Sequence, residues 1–476
     1  EQSGYRNNQA NYFESNLSVN WDLPWLTKGL SLNFTGSYDN SYTFAKSYQT
    51  PYKIAQSSIT ETGINYQIVD SSIGVFGQLA ENFSQSGFLT LNTNLNYKRT
   101  FGKHGFSGLL LYEQYRTISN NHKITARGFD FVELDELNYA QEIHPSAEAY
   151  GGTSSIVPNA GFVGRVNYAF DNKYLFEVSG RYDGSYKFAR DKRWTLFPAA
   201  SIGWRLSEED FFKDAVPAVS NLKLRASVGK LGNDRGVNSY IFLNTLSRVS
   251  NAPSIVIGDN AQLAYQTNSL ANTDLKWETA TIYNAGFEAN LWNDLLGIEL
   301  DVFYKVTKDI LESQGGTFAP SVGGYYPSTI NTGKTDNRGF ELVLNHNNRI
   351  GSFNYGARFN LQWHKNRYLS VRESPNIQSH LVRNGRALGE KHGLVALGIF
   401  QTDEEAQNWP SIFGDNRAGD IKYLDVNGDG KLTYQDDRMW IAGSNVPKLF
   451  SSLNLFADYK GFDFSVSMDG VSKIKQ

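Results

Sequence analysis

Residues 276–291, KWETATIYNAGFEANL, alternate between two kinds of side chain. Trp277, Thr279, Thr281, Tyr283, Ala285, Phe287, Ala289 and Leu291 form one set; Lys276, Glu278, Ala280, Ile282, Asn284, Gly286, Glu288 and Asn290 form the other. After Trp292-Asn293-Asp294-Leu295 the pattern resumes, with Ile298, Leu300, Val302, Tyr304 and Val306 against Glu299, Asp301, Phe303 and Lys305. Side chains on a strand point alternately to its two faces, so this period commits the chain to β-hairpins with one greasy and one wet face. It recurs throughout. Leu17, Val19 and Trp21 face opposite Asn16, Ser18 and Asn20, and Leu89, Leu91, Leu95 and Tyr97 opposite Thr90, Asn92, Asn94 and Asn96. Tyr174, Phe176, Val178 and Tyr182 alternate with Glu177, Ser179, Arg181 and Asp183. Phe353, Tyr355, Phe359, Leu361 and Trp363 alternate with Asn354, Arg358, Asn360, Gln362 and His364. About fifteen or sixteen strands are expected, many near the ~10 residues of a tilted membrane strand. There is no convincing amphipathic helix and no internal repeat.

A soluble sandwich and a membrane barrel share this period, so the direction of the greasy face needs other signals. Mean hydropathy is −0.43, and no stretch approaches the ~20 apolar residues of a spanning helix. A transmembrane barrel has neither, because its signal is alternation at modest hydropathy. The connections break the tie. Tight turns are expected at 171–173, 292–295, 347–352 and 459–461, and long connections at 118–160, 232–275, 309–335 and 366–447. In a meander, alternating short and long links put every long loop at one end, as in outer-membrane barrels with short periplasmic turns and long extracellular loops. Soluble domains rarely carry several such loops on one edge. The polar face carries Arg165, Arg181, Lys223, Arg225, Glu299, Asp301, Glu341 and Arg358, charges that need no buried partner if they line a wet lumen. The 57 Tyr and Phe (27 and 30) against 2 Met suit aromatic girdles at the membrane interfaces.

Zero cysteines exclude disulfides and thiol chemistry, and a net charge of −3 argues against a nucleic-acid partner. The chain opens at EQSGYRNNQA and stops at DGVSKIKQ, and is read as a piece of a longer protein.

Several segments resemble the SusC/RagA family of TonB-dependent outer-membrane transporters of Bacteroidota. They are RYDGSYKFARDKRWTLFPAASIGWRLSEEDFF (181–212), LKLRASVGKLGND (222–234), NTDLKWETATIYNAGFEANLW (272–292), NTGKTDNRGFELVLN (331–345), GDIKYLDVNGDGKLTYQDDRMWIAGSNVPKLFSSLN (419–454) and YKGFDFSVSMDG (459–470). The resemblance covers roughly 160–470 and implies an all-β, antiparallel up-and-down transmembrane β-barrel, part of one of about 22 strands whose lumen a plug closes. It further implies a SusD-like surface lipoprotein as lid, energy from a TonB complex through the plug region, and import of oligosaccharides or peptides. Residues 1–476 are then an incomplete barrel without recognisable plug, embedded in outer-membrane lipid, with 366–447 its long extracellular loop. A passive porin or surface adhesin, and a soluble all-β glycan-binding or glycan-cleaving protein, are the rivals.

The sharpest motif is Asp425-Val-Asn427-Gly-Asp429-Gly430-Lys431-Leu-Thr433-Tyr-Gln-Asp436. It fits D-x-[DN]-x-[DN]-G with a carboxylate at the twelfth place, the oxygen spacing of a calcium loop. Ligands would be Asp425, Asn427, Asp429, the Lys431 carbonyl, Thr433 and Asp436, for a structural Ca2+. A plain Asx-type turn produces the same composition. No catalytic constellation stands out. The seven histidines are scattered, His346 and His364 being assigned to the polar face, and Glu208-Glu209-Asp210 is mere adjacency on a turn. Tyr265, Tyr325, Tyr326, Trp409 and Trp440 in the long loops could offer stacking surface to substrate, or simply pack the loops.

Overall fold

The computed structural model describes all residues except 1–3, 51, 61–62, 71–76, 130–133, 144–149, 249–254, 258–259, 263–264, 268–269, 315–326, 328, 375–376, 413 and 473–476. Fourteen long strands follow the chain: β1 (Gly4–Asp22), β2 (Leu30–Gln49), β3 (Gln78–Phe101), β4 (His104–Phe129) and β5 (Tyr150–Phe170). Then come β6 (Tyr174–Ser185), β7 (Trp194–Arg205), β8 (Val219–Asn233), β9 (Glu278–Leu291) and β10 (Leu296–Ser313). β11 (Thr329–Ile350), β12 (Phe353–Ser370), β13 (Leu449–Tyr459) and β14 (Phe462–Ser472) complete them. They hydrogen-bond in sequence order, each to its neighbour in the chain, with Ala140–Ile143 added beside β4. This is the all-β, antiparallel up-and-down connectivity that the alternation demands.

The chain packs as two compact units, 1–97 with 109–163 and 98–108 with 164–476. In the first, β1 pairs with β2 from Gly4↔Gln49 to Asp22↔Ser31. A small core gathers Tyr48, Leu79, Ala126 and Phe129, the Tyr48 and Phe129 rings meeting edge to face at 5.5 Å. The connection after β2 carries a separate hairpin, Lys53–Thr60 with Gly63–Asp70.

In the second unit the ladder from β6 to β14 is unbroken apart from bulges such as Thr307/Ile310. Turns at its tight end use the residues that left-handed backbone favours: Asp171 and Asn172 both have positive φ (52° and 57°), as a two-residue hairpin of this hand requires. One link at this end, 206–218, is longer than the tight turns and holds the short helix α1 (Asp210–Ala215).

The long connections expected at 118–160, 309–335 and 366–447 are shorter than the sequence pattern indicated, while that expected at 232–275 is shifted to 234–277. Strand continues through 118–129 and 150–160, and β12 reaches Ser370, so the last loop runs 371–448 rather than 366–447. Trp277 also departs from expectation. Although it belongs by parity to the greasy set, it lies just ahead of β9 and is 8% exposed, packed with Phe188, Phe197, Val237 and Leu275. Its indole donates to the Arg193 carbonyl at 3.2 Å. His346 is corrected as well: it pairs with Leu296 and Ala357, on the apolar face, 5.5 Å from the Tyr355 ring.

Candidate functional site

The polar face of the second unit is built by register. Arg225 of β8 pairs with Gly286 of β9, which pairs with Asp301 of β10, which pairs with Glu341 of β11. One row away Lys223, Glu288 and Glu299 line up in the same manner. Gly286 matters because a side chain there would stand between Arg225 and Asp301; a Cβ would lie 2.6 Å from Asp301 Oδ1 and 2.3 Å from the Leu300 carbonyl oxygen. With the space open, Arg225 Nε donates to Asp301 Oδ1 at 3.1 Å and Nη2 to Oδ2. Nη1 reaches Glu288, which also takes Lys223 at 3.5 Å. A two-pronged guanidinium suits paired carboxylates in fixed positions.

Beside this cluster is a recess of about 630 Å³. Its lining combines small residues such as Gly105, Ala169, Ser201, Gly203 and Ser227 with Leu175, Phe176 and Ile202 and with the charged Lys98, Glu177, Arg225 and Asp301. Asn284 shares its parity on β9 with Gly286 and Glu288, so register puts it on the face of the ion pairs. On the opposite face Tyr283 is 52% exposed and Phe176, Val178, Ile202 and Val302 are exposed with it. Rings collect at the tight-turn end of that face: Phe106 to Tyr168 at 4.9 Å, Tyr168 to Phe176 at 6.2 Å and Tyr174 to Trp204 at 6.3 Å. Such a belt is the interfacial girdle of a membrane strand.

The same end carries an arrangement the sequence did not disclose. Glu209 accepts from Tyr174 Oη at 2.7 Å, Trp204 Nε1 at 3.1 Å and Lys173 Nζ at 3.1 Å. These donors, Tyr174 foremost, lower the Glu209 pKa to about 2, and the bond to Glu209 raises that of Lys173. The carboxylate staples the 206–218 link onto two adjacent strands. The run Glu208-Glu209-Asp210 was visible, but nothing in it says which acid turns back to the sheet.

In the 371–448 loop the calcium-type segment forms a web of its own hydrogen bonds. Asp425 accepts the amides of Gly428 and Gly430 at 2.7 and 2.8 Å, and Asp429 that of Lys431 at 2.8 Å. Asn427 Oδ1 accepts the amide of Asp429, and Thr433 Oγ1 that of Asp436 at 3.0 Å. Asp436 turns aside to take Gln378 Nε2 at 2.9 Å. Among the described residues no group of three His, Asp or Glu side chains gathers at one point. The buried acid is the next residue, Asp437, fully enclosed and holding the amides of Val426 and Thr433 at 3.0 and 2.7 Å.

The aromatic candidates separate. Tyr265 is exposed on a short strand, Tyr265–Thr267. Trp409 donates to the Tyr423 carbonyl at 2.9 Å with Lys422 Nζ 4.0 Å from its ring centroid. Trp440 stacks on His392 at 4.6 Å with the Arg386 guanidinium 5.5 Å away; burial, then Arg438, pushes the His392 pKa down. Both tryptophans are thus engaged in packing the loop. Tyr325 and Tyr326 lie outside the described residues.

Residues 1–469 match the family model described as TonB dependent receptor-like, beta-barrel. Similar curated proteins include TonB-dependent receptor P3 of Formosa agariphila, 27% identical over 394 residues, covering 79% of this chain and 38% of that protein. TonB-dependent receptor SusC of Bacteroides thetaiotaomicron is 25% identical over 389 residues, covering 80% and 37%. The chain therefore spans under two fifths of the length of these relatives. Among solved structures, that of the RagAB peptide transporter superposes with a TM-score of 0.76 at 18% identity, over 98% of this chain and 48% of the other.

Proposed function

The chain belongs to the TonB-dependent receptor-like β-barrel family, and from that premise we propose that it forms wall and surface loops of a SusC-like importer of oligosaccharides or peptides. Membership makes it an outer-membrane protein and removes the soluble glycan-binding alternative. What carries the import reading is the pairing of two faces on one ladder. An apolar face with an aromatic belt meets lipid, while the opposite face carries the ion pairs of Arg225 with Glu288 and Asp301. The likeness to the RagAB peptide transporter supports peptides as cargo, and oligosaccharides rest on the resemblance of the sequence segments to the SusC/RagA family. A SusD-like lipoprotein seated on the long loops and a TonB complex acting from the periplasm are the partners in this reading.

In this mechanism the barrel performs no covalent chemistry. The lid captures substrate and passes it to the loops, Tyr265 being an exposed ring there, and movement of the plug opens the wet conduit. The test is growth of the native host on short peptides or on oligosaccharides as sole nutrient, with the gene deleted and restored, before and after a protonophore. Import that the protonophore abolishes, with a surface lipoprotein co-purifying, is expected. Uptake unaffected by the protonophore would mean a passive porin.

Calcium at 425–436 is a separate proposal, supported by the ligand spacing alone. Were it bound, Asp425, Asn427, Asp429, the Lys431 carbonyl, Thr433 and Asp436 would hold it and lock the loop. Calorimetric titration of the purified protein with CaCl2 decides: heat lost in Asp425→Ala upholds it, and no heat in the wild type removes it.

A further inference from the structure

Four cations stand on the outward face of the second unit at the place where its apolar band ends. On β12 the outward residues run Phe353, Tyr355, Ala357, Phe359, Leu361 and Trp363, and the next is Lys365. From Phe353 to Trp363 the strand rises about 33 Å, or about 23 Å at a ~45° tilt, which matches an apolar band of about 25 Å. On β11 the run Leu344, Leu342, Phe340 gives way to Arg338, with the Phe340 and Trp363 rings stacked at 6.1 Å. On β10 Tyr304 and Val306 lead to Lys308, and on β8 Val228 leads to Lys230.

These cations are not balanced from within. Arg338 and Lys365 are direct partners in the register and both exposed. Like charges placed opposite one another repel. None of the four has an ion pair or side-chain hydrogen bond among the described residues, whereas Lys223 and Arg225 on the polar face are paired. Asp336, the acid beside them, is already held by Arg367 at 3.1 and 3.2 Å and faces Tyr304 Oη at 3.5 Å.

We propose that Arg338 and Lys365, flanked by Lys308 and Lys230, form a binding site for the phosphate of an outer-leaflet lipid headgroup. The level is right, one step above the last rings, and so is the charge. A phosphate spanning the Arg338–Lys365 pair turns a repulsion into two charge-assisted hydrogen bonds. The inference rests on outer-membrane location, not on transport, so import can be established while this fails.

The test titrates detergent-solubilised protein with lipid A carrying its phosphates and with the dephosphorylated form, following bound lipid by native mass spectrometry. Each surface cation contributes about fivefold to such binding. Lys365→Gln should weaken phosphorylated lipid A about fivefold and the double change Arg338→Gln with Lys365→Gln about thirtyfold. Arg358→Gln, on the opposite face, should leave binding unchanged and controls for net charge. Equal binding of the two lipids, or an unaffected double variant, overturns the proposal. Inorganic phosphate displacing the lipid at equal concentration would overturn the headgroup as its source.

Discussion

Replacing Gly286 by alanine should disrupt the polar wall more than removing any of its charges. The added Cβ would sit 2.3 Å from the Leu300 carbonyl oxygen and 2.6 Å from Asp301 Oδ1. The first neighbour is backbone of the adjacent strand and cannot swing away, so β9 and β10 must part locally. Overpacking of this kind costs about 1–3 kcal/mol. The Arg225–Asp301 pair is a smaller quantity: Arg225 is 30% exposed, and ion pairs open to solvent contribute about 0–1 kcal/mol. Gly297 is the matched control, on the same face of the neighbouring strand, where a Cβ would meet Asn345 Cβ at an ordinary 3.5 Å. Gly297→Ala should be neutral or stabilising by up to about 1 kcal/mol, since alanine restricts the unfolded chain. Urea unfolding from micelles, followed by tryptophan fluorescence, reads all three. The expected order of stability is Gly297→Ala above Arg225→Met above Gly286→Ala, and adding Asp301→Ala should rescue Gly286→Ala only in part. Coincident transitions for the two glycine variants would refute the steric reasoning.

Other expectations follow from the staple, the two faces and the loop. Glu209 has a folded pKa near 2 against an ordinary 4.5, so its contribution is present above about pH 4.5 and is lost as pH falls towards 2. Protease cleavage within 206–218 should rise over that window in wild type and be pH-independent in Glu209→Gln; matching profiles would remove the staple. A lysine at Phe287 should cost about 2–4 kcal/mol if that residue lies at mid-bilayer depth, and the same change at Asn284 little, since one side chain meets lipid and the other water. Equal urea midpoints would contradict the facing. Asp437→Ala strips two loop amides of their acceptor, each costing about 1–3 kcal/mol, and should open 425–437 to limited proteolysis while β13 stays protected from hydrogen exchange.

The sequence was most readable where the two faces of a strand meet different solvents. Between Phe353 and Trp363 one face is lipid and the other water, so the period is plain. Around Ser119-Asn120-Asn121-His122-Lys123 both faces are wet, the alternation disappears, and strand reads as loop although β4 continues to Phe129. The hairpin at 53–70 did leave a trace, Ile64, Tyr66 and Ile68 alternating along its second strand. Trp277 and Phe197 illustrate the opposite failure: parity gives a face within a sheet but says nothing about a loop folding down on it. Asp437 and Glu209 were hidden because neighbouring acids look alike until one of them is enclosed.

The length of β11 has a mechanical consequence. Of its 22 residues, those from Phe340 to Ile350 cross hydrocarbon, while 329–339 carry the ladder on for about 36 Å, or about 25 Å of height at the same tilt. That half of the wall is a spacer. It raises the rim of the ladder above the apolar band, so loops that leave it can move without deforming the bilayer or disturbing the lipid-facing band.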